Sequence, residues 1–407
     1  MTEEHGWARP GSSDLPPGWS SDQPPPYRPG PPPGGPGGPA PGGPGAPGSP
    51  YGPGPGGMPP GMRPPAPKPG IVPLRPLGLG ELLDGAFTGI RRNPKATLGL
   101  AAILMTIASV VEGVMSFVFL DSATTLSATP SEQISNDDLV RLLSQTSGTL
   151  ALSLVVSLIA TTILTGLLTI VYGRAVLGQF LTMGEAWQAV KPRLWRLLGV
   201  TVLILVIMLV VAGIGFGVPI GLAIALPGVA TALIAVVVGI AAVCALVYLH
   251  IKLALAESVI VLEDATVMGS LVRSFRLTDR SFWRVLGILL LTNIIASLLN
   301  GVIQTPFALG QLPVALGAAP STGTHLFGVV LSTIGTIIAT TITTPFVAGV
   351  GVLLYVDLRM RREGLDLQLQ TAVTHPDQAD FASLWQPAHG PTGTYAPEPE
   401  PPAPGGP

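Results

Sequence analysis

Four stretches of the chain carry no Asp, Glu, Lys or Arg: residues 96–111, 142–173, 197–250 and 285–356. A membrane-spanning helix needs about 20 apolar residues. The first run continues past Glu112 to Leu120 and predicts one span over 96–120, and the second predicts one over 149–173. The third run is 54 residues long and holds two spans, with a turn expected in 213–227, where Gly213, Gly215, Gly217, Pro219 and Pro227 cluster. The fourth, 72 residues long, also holds two, parted by a loop around 311–324 that contains Pro313 and Pro320. The pattern predicts an all-α integral membrane protein with six transmembrane helices in three hairpins.

A short amphipathic segment precedes each hairpin. In the first, Leu79, Leu82, Leu83, Ala86, Phe87 and Ile90 share one helical face, with Glu81, Asp84 and Thr88 opposite. The stretches 79–92, 183–193 and 266–281 are expected to lie in the interface plane before the chain turns into the bilayer. Each leads into a basic cluster: Arg91-Arg92-Asn93-Pro94, Lys191-Pro-Arg-Leu-Trp195-Arg196, and Arg280-Ser-Phe-Trp283-Arg284. The chain therefore reads as three parallel copies of lead-in helix plus hairpin. Inverted repeats, the commoner transporter plan, require an odd number of spans per unit.

Charge fixes the expected orientation. Arg91, Arg92, Lys95, Arg174, Lys191, Arg193, Arg196, Lys252, Arg273, Arg276, Arg280, Arg284, Arg359, Arg361 and Arg362 fall on one side of the six spans, against Arg141 on the other. Lys and Arg mark the cytoplasmic side, so both termini are expected in the cytoplasm and the protein in a bacterial plasma membrane.

Composition adds the ends. Charged residues make up 11% of the 407, against about 25% in soluble domains, and mean hydropathy is +0.55. Residues 1–70 hold 24 Pro and 18 Gly, too little apolar surface to offset the entropy of ordering. The expected organisation is a disordered Pro/Gly-rich tail over 1–74, a membrane domain over 75–370 and a disordered Pro-rich tail over 371–407. The Pro runs offer polyproline II segments to cytoplasmic protein partners. A net charge of −2 gives no sign of a nucleic-acid binder, and none is expected; the single Cys244 excludes an intramolecular disulfide and leaves no Cys-based metal site.

The segment Val261-Leu262-Glu263, with 269–278 and Arg280-Ser-Phe-Trp-Arg-Val-Leu-Gly287, resembles a stretch of actinobacterial multi-span proteins. Those proteins are described as similar to the membrane domain of glycerophosphoryl diester phosphodiesterase. Residues 76–85 and 355–366 resemble the same group, as does the Pro/Gly-rich tail, and 4 Lys against 17 Arg fits such a source. The resemblance implies a membrane domain alone, because the namesake enzymes carry catalysis on a separate soluble barrel.

Candidate functional residues fall into two sets. Arg91, Arg92, Arg193, Trp195, Arg196, Arg276, Arg280, Trp283 and Arg284 are expected at headgroup depth, where Trp anchors and Arg meets lipid phosphate. Glu112, His250, Lys252 and Glu257 are the intramembrane polar candidates. Lys252 is expected to snorkel towards the interface, and Glu257 to pair with one of the two basic groups before it. No nucleophile elbow, phosphate loop or metal spacing is present, so no catalytic residue, metal or cofactor is expected. The leading expectation is a non-catalytic scaffold or accessory subunit that meets membrane lipids and cytoplasmic partners. The alternatives are a lipid or small-molecule transporter, and a membrane component related to lipid phosphodiesterases.

Overall fold

The computed structural model describes residues 68–127, 136–226, 228–311, 322–374 and 381–386. Among them there are helices and no strands, and six helical stretches are long and apolar enough to cross a membrane. Backbone groups in hydrocarbon must be paired within their own segment, which only helices achieve in a chain of this pattern.

The first lead-in helix, α1 (Leu79–Arg92), starts where the Gly78 N–H donates to Glu81 Oε2 at 2.7 Å. Asn93 ends it, and Pro94 opens α2 (Pro94–Ser127) at a position where its missing N–H costs nothing. After α3 (Asn136–Val176) comes α4 (Met183–Val190), closed by a capping box between Thr182 and Glu185. A short 3₁₀ turn leads into α5 (Leu194–Ala212).

The turn expected in 213–227 is smaller than the sequence suggested. The chain stays helical through one wide π-type turn, Gly213–Gly217, into α6 (Val218–Ala225), and leaves the helix at Leu226, with Gly228 capping the next. One of these glycines serves packing: a Cβ on Gly215 would lie 2.3 Å from that of Ala242 on α7 (Val229–Leu253), so the missing side chain lets the two spans meet, whereas at Gly213 and Gly217 it would meet nothing within 4 Å. Then follow α8 (Ala256–Glu263), α9 (Val267–Thr278), α10 (Phe282–Ala308) and α11 (Thr322–Glu363), with α12 (Leu365–Thr374) and the single turn α13 (Phe381–Leu384) last.

Consecutive spans pack side by side: α2 with α3, α5 and α6 with α7, and α10 with α11. The centre is α11, which also packs along α1, α2 and α3, while the spans of the middle pair bury least of the six. The apolar face read on α1 is real, but it turns to protein. Leu82 and Ala86 are buried, and Phe87 stacks on Phe346 of α11 at 4.6 Å between centroids; only Leu79 of that face is exposed.

Both expected domain boundaries move outward. Ile71, Val72 and Leu74, assigned to the tail, are buried, and the Ile71 N–H reaches Ala175 O at 3.2 Å. This strap passes the turn after α3 so closely that a Cβ on Gly178, at φ +77, would lie 2.6 Å from Pro69 O. At the other end Trp385 is fully buried, although it lies well inside the expected C-terminal tail. Apolar residues too few to register in a composition window are enough to pin a strap. The rest of both expected tails, residues 1–67, 375–380 and 387–407, lies outside the described residues.

Candidate functional site

Nearly all charged residues of the described chain gather at the end of the bundle where α1, α4, α8 and α9 meet the ends of the spans. Two buried ionic clusters organise it. In the first, Glu263 at the end of α8 accepts from Arg273 of α9 at 3.0 Å and from the Tyr355 hydroxyl at 2.7 Å. Arg273 also reaches Glu363 at 2.5 Å, and Arg359 pairs with Glu363 at 2.9 Å. Arg359 further donates to Tyr355 Oη at 3.1 Å and to the carbonyl of Trp385 at 2.8 Å. Two glutamates and two arginines thus neutralise one another, the condition for burying charge at tolerable cost.

The second cluster is built on Asp357, whose side chain is fully buried. It accepts from Arg284 at 2.9 Å, from Arg361 at 2.9 Å and from the Leu77 N–H at 2.7 Å. Both guanidiniums return to the Leu77 carbonyl, at 2.7 and 2.8 Å. A single buried carboxylate therefore fixes the N-terminal strap, the start of α10 and the end of α11.

Several arginines read as lipid-facing are engaged here instead. Arg284 belongs to the Asp357 cluster, and Arg193 and Arg196 both hold Asp264 at 2.8 Å, in the bend between α8 and α9. Partial burial opposes the Asp264 charge, but the hydrogen bonds and positive charges of these guanidiniums hold its carboxyl below the usual carboxylate range. The remaining candidates face outward. Arg91, Arg276 and Arg280 are exposed with Lys95 and Lys191, and Arg92 is exposed while donating to Gly70 O at 3.2 Å. Trp195 and Trp283 stand 84% and 79% exposed, and Trp283 meets the Phe282 ring edge-on at 5.5 Å between centroids.

The intramembrane candidates separate. Lys252 is buried and pairs with Asp279 at 2.8 Å, its ammonium 5.6 Å from the Tyr248 ring and 5.8 Å from that of Phe275. It locks α7 to the end of α9. Glu257 accepts from Thr201 Oγ1 at 3.1 Å and pairs with neither Lys252 nor His250. His250 is exposed on the last turn of α7, and Glu112 is half-buried on α2. No group of three or more His, Cys, Asp or Glu side chains among the described residues is placed to hold a metal ion.

The sequence reading passed over the tyrosines. Between residues 78 and 358 there are three, Tyr172, Tyr248 and Tyr355, one near the end of each even-numbered span. Tyr172 is fully buried, with its hydroxyl 3.0 Å from Ala86 O of α1 and 3.1 Å from Pro345 O of α11. Their regular placement, one per repeat, was the available signal.

A family model described as Domain of unknown function (DUF7847) matches residues 78–358. The chain belongs to the DUF7847 family. Its matched region holds five spans and most of the sixth, with both Arg284 and Asp357, and ends one residue before Arg359. The strap over 70–77 and Trp385 therefore lie outside the DUF7847 region, although both are built into the charged end. No curated protein and no solved structure matches this DUF7847 chain.

Proposed function

We propose that the protein is a non-catalytic membrane scaffold. Its charged end faces the cytoplasm, holds anionic lipid headgroups, and carries Pro-rich tails that recruit cytoplasmic partners. The observation that supports this reading is the division of labour among the basic residues. Arg193, Arg196, Arg273, Arg284, Arg359 and Arg361 are taken up by internal carboxylates, while Arg91, Lys95, Lys191, Arg276 and Arg280 stay exposed beside two open tryptophans. A folding role needs no surplus of outward cations. Each cation near an anionic surface contributes about 1 kcal/mol, and an indole settles at headgroup depth. The plasma membrane is the compartment that fits this asymmetry and both termini inside.

The test is lipid retention. The full chain, purified in mild detergent and offered phosphatidylglycerol and phosphatidylcholine in equal amounts, is expected to keep phosphatidylglycerol in native mass spectra. Arg276→Gln with Arg280→Gln should reduce that preference several-fold while the fold survives, because neither side chain belongs to an internal ion pair. Equal retention of the two lipids by the unsubstituted chain would overturn the reading.

A further inference from the structure

Four cations and one carboxylate crowd the corner where α9 ends and α11 leaves the bundle. The carboxylate is Asp279, and it is spent on Lys252 at 2.8 Å. The other three cations are Arg276, Arg280 and Arg362. Six arginines of the charged end meet a carboxylate, but Arg362 bonds two neutral groups instead, the Arg276 carbonyl at 2.6 Å and the Ser281 hydroxyl oxygen at 3.4 Å. Glu363, next to it in sequence, is already shared between Arg273 and Arg359. Arg280 lies close enough to oppose the charge on Arg362. The Arg276 and Arg280 side chains, one turn apart, are exposed and bond nothing among the described residues.

The fold accounts for one of these three guanidiniums. A helix C-terminus favours a cation, and Arg362 meets that need by capping α9 through the Arg276 carbonyl. Nothing in the cap calls for a second and a third beside it, and like charges one turn apart cost stability. The surplus has free donors as well as free charge. A guanidinium offers five N–H groups; Arg362 uses two of its own here, and Arg276 and Arg280 none. A phosphate monoester matches both surpluses. Its three terminal oxygens accept from guanidinium forks, and near neutral pH it carries almost two negative charges, where a phosphodiester carries one.

We propose that this corner binds a phosphate monoester carried on a lipid headgroup. The proposal rests on the anionic-lipid reading and narrows it to one site and one headgroup class. Arg280 and Arg362 grip the phosphate, and Arg276 adds the third charge. The Ser281 hydroxyl, whose oxygen accepts from Arg362, keeps its hydrogen for the ligand. A bound diester leaves two cations unbalanced, whereas a monoester leaves one. The lipid source follows from Trp283, which stands 79% exposed two residues after Ser281, since an indole settles at headgroup depth.

The experiment offers the full chain, in mild detergent, the monoester lipid phosphatidic acid and the diester lipid phosphatidylglycerol in equal amounts. Phosphatidylcholine serves as the zwitterionic reference, and native mass spectra read the bound lipid. Phosphatidic acid is expected about fivefold above phosphatidylglycerol, the effect of one further charge beside a cation cluster. Arg280→Gln and Arg362→Gln should each bring that ratio close to unity. Arg362→Gln also removes the cap of α9, but Arg280 is exposed and bonds nothing, so Arg280→Gln tests the site without loosening the fold. Arg91→Gln, at an exposed cation on α1, should lower both anionic lipids alike and leave the ratio unchanged. Excess inorganic phosphate should leave the bound lipid in place; its displacement would assign the site to a soluble monoester and overturn the lipid source. Equal retention of the two anionic lipids, both above phosphatidylcholine, would overturn this proposal and leave the anionic-lipid reading standing. Retention no greater than that of phosphatidylcholine would overturn both. A ratio lowered equally by Arg91→Gln and Arg280→Gln would show diffuse surface charge and no site.

Discussion

Arg284 and Asp357 lie 73 residues apart in sequence and 2.9 Å apart in space, at the start of the fifth span and the end of the sixth. The pair ties the start of α10 to the end of α11, and through the Leu77 backbone it also ties the N-terminal strap to them. The third and fourth spans are tied in the same manner, by Arg196 at the start of α5 and Asp264 after α8. In both cases the arginine follows a tryptophan, so one short motif supplies an outward anchor and an inward clamp.

Asp357→Ala is expected to destabilise the fold by about 3 kcal/mol, towards the lower end for breaking a buried pair, because it strands a buried N–H and two guanidiniums. Arg284→Ala should cost less, since Arg361 still neutralises the aspartate and Arg284 is itself a third exposed. Thermal unfolding in detergent gives the order directly. A larger loss from Arg284→Ala would show that the arginine, and not the carboxylate, organises the cluster.

The Asp264 bend should respond to acid. Its carboxyl titrates lower in the folded state than in the unfolded chain, so the link contributes stability above the unfolded value of about 3.9, and that contribution disappears as pH falls through the folded value. Amide protection over residues 190–200 and 262–268, taken relative to the unstructured chain at the same pH, should fall below about pH 4. In Asp264→Asn that protection should be low and flat with pH. Asparagine tolerates the left-handed backbone of this residue, φ 56°, so the variant isolates the charge.

Trp385→Ala should release the end of the chain and leave the spans intact. The indole is fully buried, 6.4 Å from the Tyr355 ring, and its carbonyl is held by Arg359. Truncating a buried tryptophan costs about 3–5 kcal/mol, more than a six-residue docking segment is expected to hold in reserve. Limited proteolysis should then cut within residues 381–386 in the variant and not in the parent, with the membrane fragment unchanged. Equal cleavage of both chains would show that Trp385 does not hold the segment down.

The six spans were legible because hydrocarbon leaves a helix as the only solution for a long charge-free run, and the lead-in helices because their apolar positions recur with helical period. Which arginines stay exposed was not legible. Arg280 and Arg284 sit in the same turn beside Trp283, and only the arrival of Asp357 from 73 residues away separates a free cation from a clamped one. Trp385 was hidden for a related reason: a composition window averages one indole into a Pro-rich stretch. The wide turn at Gly213–Gly217 misled because glycine marks both turns and close helix approaches, and the sequence does not say whether another helix is nearby.

Tyr172 gives the sharpest test of how the repeats are joined. Its ring passes between α1 and α11, and both helices present glycine to it: a Cβ would lie 2.4 Å from the ring at Gly89 and 2.5 Å at Gly349. Tyr172→Phe removes only the hydroxyl shared between Ala86 O and Pro345 O, and is expected to cost about 1 kcal/mol. Gly349→Ala forces a methyl group into the ring and should cost about 3 kcal/mol, at the upper end for overpacking. If the ring is what the glycine accommodates, the two sites are coupled. Gly349→Ala should then cost at least 1 kcal/mol less in a Tyr172→Leu background than in the parent, since residues in contact show coupling of about 0.5–3 kcal/mol. Thermal or denaturant unfolding of the four proteins completes the cycle. Additive losses would mean that Gly349 is constrained by the α11 backbone itself, and that Tyr172 fills a space set by other contacts.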